Sequence, residues 1–584
     1  AFEEAIQDMY DAGLIEPWEG EDLNVVVPPK VRRHADYPLT AGQEEIFVTD
    51  QLGKEASLTY NVGTEIRLEG ELKREALEAA LRQLIKRHEA LRMSFSRDGS
   101  RQKPLPPFEP ELPWTDLSHF AEGEKAAQLK ALHEAETEAP FDLEKGPPVR
   151  FRLVKWNDQD HRLLITVHHI AVDGWSLGLL TRDVGRLYAR ACGAAVSLPS
   201  VKQLGSYALE QRAYQQGEDF RKNLAFWKEH LTPLPPSLEL PTDRKRPSVK
   251  TWRSEVATLR IGAERFQQIT KTAARQGTTF YFYVFAAFGA FLHKLSGQED
   301  FVLGMIAAGH NLPGNDQLTG HAANLLPIRL RTDGNEAFGS FLKRTRGTLL
   351  DAFEHQNFTL GALAGEMELP RDPSRPSLVS VLFNLDSPLD QLQFGDLKAT
   401  TRPIPRRYET FDIFVNISPQ AGGKGLVVEW NFNADLWDRH TMESWLQSFG
   451  TLLDGCMAEP ERPVGKLPLM DPPSLRNWVE RGTGPAMDSP KATLHELVSA
   501  QARKTPDRVA VECQGRQLTY RQLEQTANRL ANHFAGKGLL PGTFAAVLVD
   551  RNELLPAVLL AVLKCGAAYL PLDAANPTER LRFL

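Results

Sequence analysis

Cysteine is scarce: four residues in 584, Cys192, Cys456, Cys513 and Cys565, each far from the others. No spacing suits a zinc site or a disulfide framework, so a reducing cytoplasm is the expected compartment. Charge of one sign is also missing. Lys plus Arg number 68 against 75 Asp plus Glu, a net of −7, which leaves no electrostatic footprint for nucleic acid or an anionic membrane. Long hydrophobic runs are absent too. The longest, FYFYVFAAFGAFL at 280–292, is too short to span a bilayer and reads as a helix buried in a core. The opening AFEEAIQDMYDAG is acidic and carries no secretory signal. What is present is ordinary: 42% apolar and 24% charged residues, a globular profile with length for about four domain-sized units.

Residues 1–32 read as a short helix followed by an acidic tether, EPWEGED, and an extended VVVPPK, either a linker or a docking segment. From 33 to 200, helices and strands alternate. LKREALEAALRQLIKRH (72–88) has helical apolar spacing, and VRFRLVKW (149–156) alternates as a half-buried strand. RLLITVHH (162–169) is a second strand, followed by an amphipathic helix with Ser176 as its expected N-cap. A second lobe is expected over 201–469. It includes the proline-rich connection LTPLPPSLELPTDRKRPS (231–248), the strand VVEWNFN (427–433) and the helix HTMESWLQSFGTLLDGC (440–456). A Pro- and Gly-rich linker covers 470–493, and 494–584 reads as part of another domain.

The segment that carries chemistry is TVHHIAVDGWS, 166–176. Neighbouring side chains on a strand point to opposite faces. His168 and His169 therefore cannot chelate one ion together; one faces a channel while the other packs inward. Asp173 and Gly174 follow in a turn, where Gly174 is expected to permit a backbone path that a side chain would obstruct. The helix that starts next aims its first N–H groups toward the strand's end.

HHIAVDG resembles the His-His-x-x-x-Asp-Gly signature of condensation domains in nonribosomal peptide synthetases. LTAGQEEIF (39–47), RHEALRMSF (87–95), LELPTDRKRP (238–247), GMIAAGHNLPGNDQLTGHAANLLPIRL (304–330), HQNFTL (355–360) and RDPSRPSLVSVLFNLD (371–386) resemble further motifs of that family, in order. LTYRQLEQTANRLA (518–531) and LKCGAAYLPLDAANPTERL (563–581) resemble the first core motifs of adenylation domains. The glycine-rich phosphate loop expected after them is not in this sequence, so amino-acid activation by this piece is not expected.

The resemblance implies a mixed α/β fold of two chloramphenicol-acetyltransferase-like lobes forming a V, with a tunnel between them. It implies amide formation between an upstream carrier-bound acyl thioester and a downstream carrier-bound aminoacyl amine. Both substrates ride on 4′-phosphopantetheine arms, and no cofactor of the domain's own is expected. The implied partners are an upstream acyl or peptidyl carrier, a downstream peptidyl carrier and the rest of the adenylation domain. His169 is the implied catalytic histidine, with the backbone N–H near Gly174 as oxyanion donor, and Trp175 and Asn324 on the tunnel wall. His168 and Asp173 are implied to be structural. The family pairs this Asp with an Arg, but the matching position reads AAGH, which makes His310 the expected partner if protonated and Arg92 the alternative. GHAANLLPIRL and SVLFNLD look most like condensation domains that follow polyketide synthase modules, with an ordinary peptidyl donor as the alternative. An epimerisation domain is disfavoured because its catalytic Glu motif is absent, a free-standing acyltransferase because of the adenylation start. A non-catalytic scaffold usually loses the second His, which is intact here.

Overall fold

The computed structural model describes residues 36–584, apart from 312–313, 368, 370–371, 387–391, 421–423, 485–490 and 576–577. The expected helix near the N-terminus and its tether lie outside the described residues. The chain divides into two compact units, Ala1–Arg476 and Asn477–Leu584.

The first unit is built on two six-stranded mixed sheets. Its N-terminal lobe runs α1 (Ala41–Asp50), β1 (Asn61–Glu69), α2 (Arg74–Arg87), β2 (Trp114–Asp116), α3 (Glu122–Glu138), β3 (Val149–Asn157), β4 (Asp160–His168) and α4 (Gly174–Ala191). Its C-terminal lobe contributes β5 (Ser254–Gly262), α5 (Phe280–Ser296), β6 (Asp300–Ala307), β7 (Asn324–Arg331), α6 (Phe338–Glu354), α7 (Leu360–Glu366) and β8 (Val381–Leu385). After these come β9 (Gln393–Phe394), β10 (Leu397–Pro403), β11 (Ile413–Pro419), β12 (Gly425–Asn433) and α8 (Arg439–Ala458). One sheet has the order β7-β6-β8-β11-β12-β5, and the other β9-β10-β1-β4-β3-β2.

The second order departs from a division of the lobes at residue 200. β10 leaves the C-terminal lobe and pairs antiparallel with β1, Pro403 opposite Thr64 and Lys398 opposite Glu69. The N-terminal core likewise takes in Leu204, Tyr207, Leu318, Ala322, Phe394 and Leu397. In the other core, the apolar run at 280–292 is the buried helix α5, capped by Thr279 and ended by Gly297 at φ 69°. Phe288 sits edge-on to Trp430 and Phe449, each ring centroid 5.6 Å away. Burying such rings, at ~25 cal/mol per Å², is the main drive for this lobe to fold.

The second unit holds helices Leu494–Lys504, Tyr520–Gly536 and Leu555–Lys564 beside two-stranded sheets. Leu523, Ala527, Ala557 and Leu560 form its small core. Among the described residues, no helix is long and apolar enough to cross a membrane.

Candidate active site

β4 pairs with β1, His168 opposite Asn61, and ends one residue before His169. The backbone N–H of His169 still donates to Tyr60 O at 2.8 Å, so the chain leaves the sheet in a fixed direction. His168 points inward and is fully buried. Its Nδ1 accepts the Ile170 N–H at 3.3 Å, which places the ring proton on Nε2, 3.4 Å from Asp50 Oδ1. Burial, against the pull of Asp50, keeps this imidazole neutral.

His169 is half-buried and meets a different set of neighbours. Its Nδ1 lies 3.2 Å from Nδ1 of His321, the two rings edge to face with centroids 5.0 Å apart. Burial first, then the positive fields of His321 and Arg406, push His169 down to about 3, and burial lowers His321 as well. Sequence reading does not single out His321, although it stands inside GHAANLLPIRL. The imidazole in that motif is the only signal, since the contact spans 152 positions.

α4 starts earlier than the sequence suggests. Asp173, not Ser176, is the N-cap, its Oδ1 accepting the Ser176 N–H at 2.9 Å. The same carboxylate accepts Nε2–H of His310 at 2.9 Å and the N–H groups of Ala322 and Ala323 at 2.9 and 3.0 Å. The cation that meets Asp173 is therefore His310. Arg92 instead donates to Leu105 O and lies 3.8 Å from Glu89. Burial opposes ionisation of Asp173, but the His310 charge and these donors hold it far below the usual carboxylate range. Burial alone would lower His310; Asp173 overcomes it and raises His310 above its ordinary value. Ser176 adds a second tie, its Oγ donating to Gly320 O at 2.8 Å and accepting the Gly320 N–H at 3.0 Å. Residues of the C-terminal lobe are thus fastened to the first turn of α4.

The geometry also places Trp175, Asn324 and Gly174. Trp175 stacks on His310, centroids 5.8 Å apart and planes at 12°, and so covers one face of the buried pair. Asn324 donates both amide hydrogens inside the C-terminal lobe, to Gln356 O and Phe358 O at 2.8 Å each, and fixes that loop to β7. Gly174 is not demanded by backbone strain. Its φ is ordinary and a Cβ there would meet no protein atom within 4 Å. A helix's first N–H groups have no partner within the helix itself, and of those in α4 the Ser176 N–H is taken by Asp173.

Glu45 of α1 crosses to the other lobe, accepting the Gly361 N–H at 2.8 Å, and burial pushes its carboxyl up to about 7. A cavity of about 560 Å³ lies elsewhere, lined by Glu65, Arg67, His133, Trp156, Arg162 and Arg402 among others, and no residue of 168–176 lines it. Among the described residues, no group of three or more His, Cys, Asp or Glu side chains is placed to hold a metal ion.

A family model described as "Condensation domain" matches residues 33–476, and one described as "AMP-binding enzyme" matches 498–584. One of the linear gramicidin synthase subunits of Brevibacillus parabrevis is 31% identical over 98% of this chain, which covers 7% of that relative. Phosphinothricin tripeptide synthetase PhsB of Streptomyces viridochromogenes is 33% identical over 95% of this chain, which covers 48% of it. This chain therefore spans less than half of either relative. The structure is similar to a four-domain nonribosomal peptide synthetase, holo-AB3403 bound to AMP and glycine, with TM-score 0.69 and 23% identity over 96% of this chain and 43% of that one. It is also similar to the first condensation domain of the calcium-dependent antibiotic synthetase in complex with a substrate analogue, with TM-score 0.66 and 20% identity over 75% of this chain and all of that one.

Proposed function

From a chain that belongs to the condensation-domain family of nonribosomal peptide synthetases and continues into the start of an AMP-binding domain, we propose an amide-forming acyl transfer between two carrier-bound substrates. The acyl donor is a thioester on the phosphopantetheine arm of an upstream carrier. The acceptor is the amine of an aminoacyl group on a downstream carrier. The observation that carries the reading is His169: a neutral, half-buried imidazole leaving the end of β4, five residues before the start of α4.

The magnitudes decide what His169 does. An α-ammonium titrates near ~8, so an imidazole held at about 3 would take its proton roughly five powers of ten uphill. His169 therefore does not deprotonate the free ammonium; it accepts a hydrogen bond from amine that is already neutral and orients it. The amine nitrogen attacks the thioester carbon, a C–N bond forms, and the carbonyl pair moves onto oxygen. The N–H groups at the start of α4, that of Gly174 first, are the donors for this oxyanion. The nitrogen of the adduct, now positive and acidic, passes a proton to Nε2 of His169. The oxyanion then collapses, the C–S bond breaks, and the thiolate takes the proton from Nε2.

For the donor we propose a polyketide-type acyl chain, supported by the resemblance of 320–330 and 380–386 to domains that follow polyketide modules. The name of one relative, phosphinothricin tripeptide synthetase, speaks for a peptidyl donor instead. The test loads an upstream carrier with a β-ketide-like acyl group or a dipeptidyl group and a downstream carrier with one amino acid. Intact-mass spectrometry then follows the downstream carrier. Faster transfer of the ketide supports both statements. A clear preference for the dipeptide overturns the donor assignment alone, and no transfer from either donor overturns the condensation reading.

A further inference from the structure

The second imidazole, His321, is held independently of the first. The residue before it, Gly320, donates its N–H to Ser176 Oγ at 3.0 Å, and the two after it, Ala322 and Ala323, donate theirs to Asp173. Gly42 of α1 closes the ring's other edge, where a Cβ would stand 2.8 Å from Cδ2 of His321 and 3.0 Å from Nε2. Backbone on three sides therefore fixes the His321 ring with its Nδ1 toward Nδ1 of His169, 3.2 Å away. At that separation two lone pairs repel, and so do two N–H groups, so the contact must hold one hydrogen. The ring nitrogen of His169 left for substrate is Nε2. If His169 carries the shared hydrogen, Nε2 is a bare acceptor; if His321 carries it, Nε2 bears a hydrogen and cannot accept.

We propose that His321 is a positioning residue for condensation: its Nδ1 accepts the Nδ1–H of His169, which fixes the ring's orientation and leaves Nε2 bare toward the acceptor amine. This rests on the condensation reading above. It gives His321 the part that a carboxylate or carbonyl takes behind many catalytic histidines. When the adduct's proton reaches Nε2, the positive charge is shared through the Nδ1 hydrogen with His321, which lies in the field of the Asp173 carboxylate. The charged and titratable groups around the pair come from several elements. Asp173 at the start of α4 and His310 after β6 act on His321, and Arg406 after β10 acts on His169. α1 presents the Gly42 backbone here, and its Glu45 carboxylate is engaged by Gly361.

The experiment compares the full chain with His321→Ala, His321→Asn and His169→Ala, each with carrier-loaded donor and acceptor. It measures kcat and KM for the donor carrier. His321→Ala is expected to lower kcat by about 10- to 100-fold, part of the range that acid–base assistance contributes, with KM within about twofold. His321→Asn, whose side-chain oxygen can stand near the Nδ1 position, should recover kcat to within a few-fold of the parent. A His321→Ala variant with parental kcat overturns the proposal. So does an Asn variant that folds like the parent yet is as slow as Ala. If the Ala variant does not fold, Asn decides alone: parental kcat supports the proposal and loss overturns it. Parental activity in His169→Ala would instead overturn the condensation reading itself.

Discussion

At the scale of single residues, Asp173 bears the most. Buried and ionised, it receives His310 and three backbone N–H groups, from Ser176, Ala322 and Ala323. Removing the carboxylate leaves the buried His310 ring and those N–H groups without their acceptor. Asp173→Ala is expected to cost ~3–5 kcal/mol of stability, measured by denaturant unfolding; unfolding like the parent would contradict it. The pair also sets a pH dependence. His310 is raised above its unfolded value of about 6.5, so the folded state binds its proton more tightly than the unfolded state. The stability it contributes is full below about pH 6.5 and is lost as pH rises through the raised value. Asp173 is depressed, so its share is present above about pH 4 and lost only in acid. The parent should lose melting temperature as pH climbs above about 6.5, and Asp173→Ala, which leaves His310 nothing to hold its proton, should lose much less.

At the scale of elements, the informative contact is between α4 and the strands that cross from the other lobe. Gly185 lies inside α4, where alanine ordinarily stabilises by ~1 kcal/mol. Here a Cβ would come within 2.3 Å of Gln393 O and 2.7 Å of the Phe394 ring, both on β9. The carbonyl belongs to backbone and cannot swing aside, so the clash outweighs propensity and the sign reverses. Gly185→Ala is expected to destabilise by ~1–3 kcal/mol and to loosen β9 and β10, read as lower melting temperature and faster proteolysis near 393–403. A variant more stable than the parent would contradict it. This contact also marks where sequence reading ends. The helix over 72–88, the strands at 149–156 and 427–433 and the helix over 440–456 are legible because their own periodicity defines them. LKATTRP at 397–403 is not: its polar alternation resembles a loop, and it becomes strand only by pairing with β1, more than 300 positions away. The start of α4 is misplaced in the sequence for a related reason. Asp173 and Ser176 are both good caps, and the choice is made by donors arriving from 310 and 322–323.

At the scale of the molecule, two sheets from distant stretches of chain meet at one short segment. Asp173 and Ser176 hold 320–323, Glu45 holds Gly361, and β10 is lent by one lobe to the sheet of the other. The candidate site is a product of that junction. His169, Asp173 and Gly174 can be picked out in one strand-turn-helix motif. His321 cannot, because nothing in a single sequence shows which loop of the second lobe the first lobe will hold. The central claim is that His169, placed at this junction, assists amide formation between two carrier-bound substrates. Its most direct test is a single-turnover measurement with both carriers loaded, comparing the parent with His169→Ala at equal melting temperature. The account predicts a loss of about 10²- to 10⁴-fold in the rate of amide formation with carrier binding unchanged; a His169→Ala protein that forms the amide at the parental rate would contradict it.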